Sequence, residues 1–266
     1  MNFTIGADPE LFFRNKITGN FVSSVGLIGG TKEAPKPIGE GCAVQEDNVA
    51  VEFNTPPCDS MESFIASLDY NLNYLQDEAE KLGLTLAIEP SGLFPWEELE
   101  TPAARIFGCD PDFNAWTRQQ NPRPANVAGN LRSAGGHIHV GFDWKKYNFE
   151  QVVRAMDIFV GCEMLEFDTD TQRRELYGKA GAFRRKPYGI EYRTASNAWI
   201  KSRELMEWAY RQTEKALTFV EKGKVVIPDL NPFHMNQISH KIVSTINTSD
   251  KRHLPEIRKF AEAGLA

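Results

Sequence analysis

Four segments of the sequence each carry two polar side chains separated by one residue, among apolar residues and glycines. Successive side chains of a β-strand point to opposite faces of the sheet, so residues i and i+2 share a face. The pairs are Asp8/Glu10, Glu52/Asn54, His137/His139 and Glu191/Arg193. If these strands belong to one sheet, their carboxylates, imidazoles and guanidinium group converge on one face. Buried carboxylates stay charged only beside cations, and oxygen-rich ligands favour Mg²⁺ or Mn²⁺ over zinc, so the pattern predicts a metal site.

The first pair carries the strongest local constraint. Pro9 lies between Asp8 and Glu10, where its ring disfavours a helix and biases Asp8 toward an extended conformation. Two like charges side by side are costly unless a cation lies between them. Taken alone, this stretch is also consistent with a solvated turn at the start of a strand. We interpret Asp8 and Glu10 as the first two ligands of a magnesium–nucleotide site.

Composition narrows the class of protein. The 266 residues are 41% hydrophobic and 25% charged, which predicts a soluble globular protein, and we expect one domain over residues 1–266. A net charge of -6 without a concentrated basic face argues against a nucleic-acid partner. No membrane-length apolar run or secretion signal is recognisable, so we expect a cytoplasmic protein without a membrane partner. The scattered cysteines, Cys42, Cys58, Cys109 and Cys162, are expected to be reduced thiols.

The remaining pattern predicts an α+β fold with a curved, largely antiparallel sheet, an active site on its concave face, and helices backing it. Strands are expected at residues 3–13, 49–54, 84–88, 134–142 and 188–194. Helices are expected to about residue 81 from an N-cap at Asp59, and at 149–166, 168–177, 202–222 and 253–263. Residues 29–41 are expected to form a loop that borders a ligand site, and 90–134 to be irregular.

Each polar segment has an alternative interpretation. His137 and His139 are also consistent with two hydrogen-bonding strand residues or with a zinc site. Zinc calls for further histidines, and His234, His240 and His253 lack ligand-like spacing. The Glu191/Arg193 pair is consistent with a cross-strand ion-pair network.

The basic segment that precedes Glu191 contains Arg184, Arg185 and Lys186. It predicts either a solvated turn or a phosphate clamp, for which the bidentate fork of arginine is suited. The sequence lacks the spacing of a P-loop, a dinucleotide-binding glycine motif and a nucleophile elbow.

The order of these motifs resembles the glutamine synthetase and glutamate–cysteine ligase superfamily of carboxylate–amine ligases. It is most similar to the phage-type amidoligases, the COOH-NH2 ligase type 2 family. The similar segments are G-A-D-P-E-L-F-F, V-E-F-N-T-P-P, G-G-H-I-H-V-G and G-I-E-Y-R-T-A-S-N, in matching order over roughly residues 5–200. The resemblance implies a fold like the catalytic domain of glutamine synthetase.

The resemblance also implies roles for individual residues. The metal ligands it implies are Asp8, Glu10, Glu52, His137 and Glu191. It places His139 near the nucleotide phosphates and Arg193 at the transferred phosphate, and either Arg184 or Arg185 at the phosphates as well. A further acid upstream of Glu52 is expected, for which Gln45, Glu46 and Asp47 compete. The chain departs from the family in having Asp rather than Glu as the first acid and Pro9 between the pair.

The implied activity is an ATP- and Mg²⁺-dependent (or Mn²⁺-dependent) carboxylate–amine ligase that forms an amide through an acyl phosphate. Its partners would be small-molecule or peptide carboxylates and amines, in the host cytoplasm if a phage encodes the protein. Segment 90–134 is a candidate lid or substrate wall, and Arg105 and Asn54 are candidate substrate contacts. The alternatives are a metal-dependent hydrolase that uses the His137/His139 strand and a non-catalytic binding protein that retains the fold. The oligomeric state is left open.

Overall fold

One long strand lies at the centre of the main sheet. In the computed structural model, which describes residues 2–105, 112–121, 129–229, 231 and 237–266, this strand is β1 (Phe3–Asn15). The other strands are β2 (Phe21–Val22), β3 (Lys36–Gly39), β4 (Cys42–Asp47), β5 (Ala50–Asn54), β6 (Leu84–Ala87), β7 (Ser91–Leu93), β8 (Phe113–Asn114), β9 (Leu131–Ser133), β10 (Gly136–Phe142), β11 (Ala182–Lys186) and β12 (Gly189–Tyr192).

The main sheet has ten strands in the order β3-β4-β5-β1-β10-β12-β11-β8, and β2 and β6 also pair with β1. All of these pairs are antiparallel. Strands β7 and β9 form a separate antiparallel pair. The large open antiparallel sheet and its helices confirm the predicted α+β class.

The helices are α1 (Met61–Lys81), α2 (Pro102–Arg105), α3 (Phe149–Met156), α4 (Gln172–Leu176), α5 (Arg203–Glu221), α6 (Ile238–Thr248) and α7 (Leu254–Leu265). A π-helical stretch, Asp157–Gly161, follows α3 directly. Single 3-10 turns lie at Trp96–Leu99, Glu163–Glu166, Asn197–Ile200 and Lys251–His253. Among the residues described, none of these helices is both long and apolar enough to cross a membrane.

The strands of the sheet divide their side chains between two faces. Ile5, Ala7, Leu11 and Phe13 of β1 are buried in the main hydrophobic core, which also includes residues of α1, α3 and α5. The intervening positions of β1 carry the polar side chains. The same alternation places apolar residues of β5, β10 and β12 in the core. We call the opposite face, which carries the polar pairs, the site face.

A second, smaller core covers one end of the site face. It is built around Phe12, Phe21 and Phe94, whose rings pack at centroid distances of 5.2–5.4 Å. It includes residues of segment 90–134, which contains short strands and turns rather than being wholly irregular. Apolar packing therefore closes this end and leaves the polar side chains further along β1.

Several sequence expectations need correction at the level of elements. The N-cap of α1 is Ser60 rather than Asp59, because the Ser60 hydroxyl accepts the Ser63 N–H and the Ser63 side chain completes the capping box. The segment before β5 is a strand of its own, β4. The segment 149–166 changes from α to π to 3-10 geometry. Helix α6 was not predicted, and the segment 29–41 contains strand β3.

Candidate active site

Strand register brings the four polar pairs together. Asp8 lies opposite His137 on β10, and His139 lies opposite Glu191 on β12. On the other side of β1, Glu10 lies opposite Glu52 on β5. The pairs share the site face because each pair obeys the two-residue alternation of its own strand. This convergence is what the sequence pattern predicted.

The first group of ligands comprises Asp8, His139 and Glu191, and we call it cluster I. One potential ligand atom from each residue lies within 4.8 Å of the others. His139 Nε2 is 2.9 Å from Asp8 Oδ2. Within the described part of the chain, Asp8 Oδ1, His139 Nε2 and Glu191 Oε2 are buried without a well-directed hydrogen bond. Two carboxylates and an imidazole whose ligand atoms lie this close together fit a cation.

The second group comprises Glu10, Asp47 and Glu52, and we call it cluster II. Its ligand atoms also lie within 4.8 Å of one another. Glu10 Oε2 accepts the backbone N–H of Gly135 at 2.6 Å, and Glu52 Oε1 accepts a hydrogen bond from Gln45 Nε2 at 2.8 Å. These contacts orient the carboxylates but leave three acidic groups side by side, an arrangement that also fits a cation.

The contacts in and around cluster II distinguish the three candidates for the acid upstream of Glu52. Gln45 serves as a hydrogen-bond donor to Glu52. Glu46 accepts the backbone N–H groups of Gly26, Ile28 and Gly29 and thereby holds the preceding loop. Asp47 is the residue that joins Glu10 and Glu52. Burial, followed by the negative charge of Glu10, raises the pKa of Asp47 to about 6.

Neighbouring opposite charges shift the pKa values of the residues in cluster I toward their charged forms. Burial opposes the charged form of Asp8, but the imidazoles of His139 and His137 hold the pKa of Asp8 well below its usual range. Burial lowers the pKa of His139, while the Asp8 carboxylate raises it, and the net shift is upward. Burial and the charge of Asp8 raise the pKa of Glu191, yet Arg193 and other cations lower it to about 2. Both carboxylates are therefore ionised and available to a cation at neutral pH.

His137 lies beside both clusters. Its Nδ1 atom is 3.3 Å from Asp8 Oδ1 and 3.8 Å from Glu191 Oε1. Arg193 Nη1 lies 3.4 Å from the same nitrogen. The resemblance implies that His137 binds metal and that His139 lies near the nucleotide phosphates. In the structure, however, the imidazole in cluster I is that of His139. The division of roles between the two imidazoles stays a prediction.

Positive side chains surround Glu191. The Arg193 guanidinium group donates to Glu191 Oε1, and its Nε lies 3.4 Å from Asp112 Oδ2. Arg184 Nη1 lies 3.6 Å from Glu191 Oε1, and Lys186 Nζ lies 2.7 Å from Glu191 Oε2. These three cations belong to β11 and to the end of β12, and they lie next to cluster I.

Arg185 does not join this group. It points to the opposite face of β11, where its Nη2 lies 2.5 Å from Glu150 Oε1 and its guanidinium group lies over the Phe149 ring. Its side chain is 57% exposed. Strand alternation explains the difference, since Arg184 and Lys186 share a face and Arg185 lies between them. Of the two adjacent arginines, Arg184 is therefore the one that lies next to cluster I.

A cleft with about 620 Å³ of empty space extends from cluster II. Its lining includes Glu10, Asp47, Asp112, Arg132, His137, Arg173, Tyr177 and Arg193. Of these, Asp112, Arg132, Arg173 and Tyr177 were not predicted. The two arginines lacked a sequence signal because their position at the cleft depends on tertiary contacts. Lys186, which the sequence included in the basic segment, lies beside cluster I because it is two residues from Arg184 and shares its face of β11.

Arg173 holds together the chain segments that flank the site. Its Nε donates to Ala134 O, Nη1 to Thr194 O, and Nη2 to Ala195 O, all within 3.0 Å. Burial lowers the pKa of Arg173 to about 10. These contacts fix the start of β10 against the end of β12, which keeps His137 and Arg193 in place.

The two predicted substrate contacts have different surroundings. Asn54 lies on the site face, and its Nδ2 is buried without a hydrogen bond among the described residues. Arg105 Nε donates to Leu99 O at 3.0 Å, and the described lining of the cleft does not include Arg105. Residues 106–111 and 122–128 of the predicted lid, with Cys109, lie outside the described residues, as does His234.

One family model matches part of the chain. The model of the family described as "Phage phiEco32-like COOH.NH2 ligase-type 2" matches residues 128–218. This match supports the resemblance to the amidoligases over these residues. The match to the amidoligase family contains β10, β11 and β12, and therefore His137, His139, Arg184, Glu191 and Arg193. Asp8 and cluster II precede the matched residues. A search of the curated proteins found no match.

Proposed function

We propose that the protein is an ATP- and Mg²⁺-dependent carboxylate–amine ligase that activates its carboxylate substrate as an acyl phosphate. The observation that carries this proposal is the pair of three-ligand clusters on the site face, with Arg184 and Arg193 beside cluster I. The family description, which names a COOH.NH2 ligase, supports the reaction class.

The reaction proceeds in two balanced steps. A carboxylate oxygen of the substrate attacks the γ-phosphorus of ATP, and ADP leaves. The amine then attacks the acyl carbon, inorganic phosphate leaves with the bonding electron pair, and the amine gives up a proton to yield the amide. Phosphoryl transfer depends mainly on positioning and charge neutralisation.

The ligand chemistry favours magnesium or manganese. The two clusters together offer five carboxylates, from Asp8, Glu10, Asp47, Glu52 and Glu191, and one imidazole from His139. Such oxygen-rich sets suit Mg²⁺ and Mn²⁺, whereas catalytic zinc sites generally use more nitrogen or sulfur ligands. Divalent ions bound here would neutralise the charge of the ATP phosphates.

The protein's own cations would act on the same phosphates. Arg184 and Arg193 have guanidinium groups next to Glu191, and such groups form paired hydrogen bonds to phosphate oxygens. Both lie in or next to the short hairpin of β11 and β12 rather than on a long loop. Their placement on paired strands fixes the direction from which they approach a phosphate.

Binding of ATP in the presence of Mg²⁺, measured by calorimetry, tests the proposal. We expect Asp8→Asn and Glu10→Gln each to weaken Mg²⁺-dependent binding at least tenfold, since each removes a charged ligand from a different cluster. Asp69→Asn is the matched control, because Asp69 lies on α1 outside both clusters with its side chain 43% exposed, and it is expected to bind like the wild type. Absence of Mg²⁺-dependent ATP binding by folded wild-type protein would contradict the proposal.

Hydroxylamine provides the corresponding test of chemistry, because it traps an acyl phosphate as a hydroxamate. We expect hydroxamate and phosphate to form in equal amounts from a carboxylate panel, only with ATP and Mg²⁺ present. Bound zinc together with ATP-independent hydrolysis would instead favour the metal-dependent hydrolase.

A further inference from the structure

The turn between β11 and β12 places an aromatic side chain next to cluster I. Tyr188 lies in this turn and is 45% exposed. Its ring packs against the His139 ring at a centroid distance of 6.0 Å and an interplanar angle of 28°. The Tyr188 hydroxyl forms a hydrogen bond with His139 Nδ1. Tyr188 is therefore the direct neighbour of the imidazole on the side away from Asp8.

The backbone of this turn is held at several points. The Tyr188 carbonyl accepts the Phe142 N–H at 2.9 Å, and the Pro187 carbonyl accepts Trp144 Nε1 at 3.1 Å. Gly189 follows with a φ of 152°, and a Cβ at this position would lie 2.1 Å from Val140 O. The turn thus packs directly on β10, and the position of Tyr188 is set by the sheet rather than by a free loop.

The two nitrogens of His139 have separate environments. Nε2 is buried and lies 2.9 Å from Asp8 Oδ2, whereas Nδ1 contacts the Tyr188 hydroxyl. When Nε2 binds a metal ion, Nδ1 carries the ring proton, and a hydrogen-bond acceptor at Nδ1 fixes both the tautomer and the ring orientation.

A hydroxyl group suits both states of this imidazole. It accepts a hydrogen bond from Nδ1–H when Nε2 is a ligand, and it donates to Nδ1 when the proton is on Nε2 and faces Asp8. A carboxylate or a backbone carbonyl at the same place would serve only the first state.

We propose that Tyr188 is a positioning residue for His139: its hydroxyl holds the imidazole so that Nε2 points into cluster I. This inference rests on the proposed function, because it requires that cluster I bind a divalent cation. Tyr188 does not contact the reacting groups in this proposal. Its substitution is therefore expected to weaken metal binding at cluster I and not at cluster II.

Titration of Mn²⁺, with free ion followed by electron paramagnetic resonance, tests this proposal without measuring activity. Tyr188→Phe removes the hydroxyl and keeps the ring. In a Glu10→Gln background, in which cluster I is the intact ligand set, we expect Tyr188→Phe to weaken Mn²⁺ binding about 10- to 100-fold. In an Asp8→Asn background, in which cluster II is intact, the same substitution is expected to change binding less than twofold.

Tyr70→Phe is the matched control. The Tyr70 hydroxyl also forms a hydrogen bond, to Ile38 O at 2.7 Å, and the side chain is 38% exposed. We expect it to leave Mn²⁺ binding unchanged in both backgrounds. The midpoint of thermal unfolding of each variant establishes that the compared proteins are folded.

The outcomes separate the two proposals. Mn²⁺ binding to cluster I that is unchanged by Tyr188→Phe overturns the positioning role and leaves the proposed function standing. Equal weakening in both backgrounds shows a general structural effect and also overturns it. Wild-type protein that binds no Mn²⁺ overturns the proposed function and this inference together. If Glu10→Gln alone abolishes binding, Tyr188→Phe in the wild-type background is expected to weaken one of two Mn²⁺ sites by the same factor, and unchanged binding there would overturn the positioning role.

Discussion

Arg184 and Arg185 are adjacent in sequence, yet only Arg184 faces the ligand clusters. The sequence identified a basic segment at this place but left the two arginines equivalent, because the segment was not recognised as a strand. Once β11 is paired with β12, Arg184 lies opposite Glu191 and Arg185 lies opposite Ile190. Pairing with a known neighbour thus decides which of two identical side chains belongs to the site.

These two arginines give a matched pair of variants. We expect Arg184→Gln to lower amide-forming turnover about 10- to 100-fold, because it removes a charge-assisted contact worth about 1.5–3 kcal/mol from the phosphates. Arg185→Gln removes the same charge from the other face and is expected to stay within twofold of the wild type. Steady-state phosphate release is the measurement. Equal losses in the two variants would show that net charge, rather than position, matters.

The candidate ligands in the two clusters differ in how well the sequence predicted that they lie together. Asp8, Glu10, Glu52 and Glu191 were predicted because each forms part of an alternating pair on a strand. Asp47 was left among three adjacent candidates, since the turn that follows β4 sets its direction and the sequence does not reveal that geometry. Arg132 and Arg173 were missed, because isolated arginines far apart in the chain give no pattern until the fold brings them to one cleft.

Among the elements, the start of β10 packs closely against Ser196 and Trp199, and Gly136 makes this close approach possible. A Cβ at Gly136 would lie 2.2 Å from Ser196 O and 2.6 Å from Trp199 Nε1. The Trp199 indole N–H donates to Gly136 O at 2.9 Å, so the strand and the following 3-10 turn are locked together. This close approach supports the segment that carries both imidazoles.

This crowding predicts a stability effect. Gly136→Ala is expected to lower the free energy of unfolding by about 3 kcal/mol, because backbone or Trp199 must move to admit the methyl group. Gly6→Ala is the control on neighbouring β1, where the new Cβ would meet no described atom closer than 3.4 Å and should cost less than about 1 kcal/mol. Urea denaturation measures both. A tolerated Gly136→Ala would show that β10 can shift away from this turn.

Elements were predicted best where one face is apolar and the other polar. Strands β1, β5, β10 and β12 and helices α1 and α5 follow this rule, and each was expected near its observed position. Helix α6 was missed, and the exact cap of α1 was wrong, because adjacent Asp59 and Ser60 are both good N-caps. The π-helical stretch is defined by a local bond between residues five apart, in which the Cys162 N–H donates to Asp157 O at 2.8 Å, and the apolar pattern does not distinguish it from an α-helix.

At the scale of the whole molecule, one buried carboxyl group connects the helical layer to the sheet. Asp157 is fully buried and accepts hydrogen bonds from Trp116 Nε1 at 2.6 Å, the Tyr192 hydroxyl at 2.7 Å and the Thr194 hydroxyl at 3.3 Å. Burial raises the pKa of Asp157 to about 7, despite these donors. The group therefore binds a proton more tightly in the folded than in the unfolded protein.

The raised pKa of Asp157 makes the free energy of unfolding fall as the pH rises. A carboxyl with a raised pKa contributes stability that is fully present below about pH 4 and is lost as the pH rises toward 7. We therefore expect the stability difference between Asp157→Asn and the wild type to move in favour of the variant over this range, on the order of 2–4 kcal/mol. Urea denaturation at several pH values checks this. Parallel pH profiles would show that Asp157 ionises normally.

The ammonium group of Lys186, 2.7 Å from Glu191 Oε2, gives cluster I a resident positive charge. If a metal ion binds cluster I as proposed, it exchanges one cation for another. A sodium or potassium ion brings no more charge than the ammonium group that it would displace, so it gains little Coulomb energy from the exchange. A divalent ion brings one unit more. Under the proposed function, we therefore expect Lys186 to favour divalent over monovalent ions at cluster I.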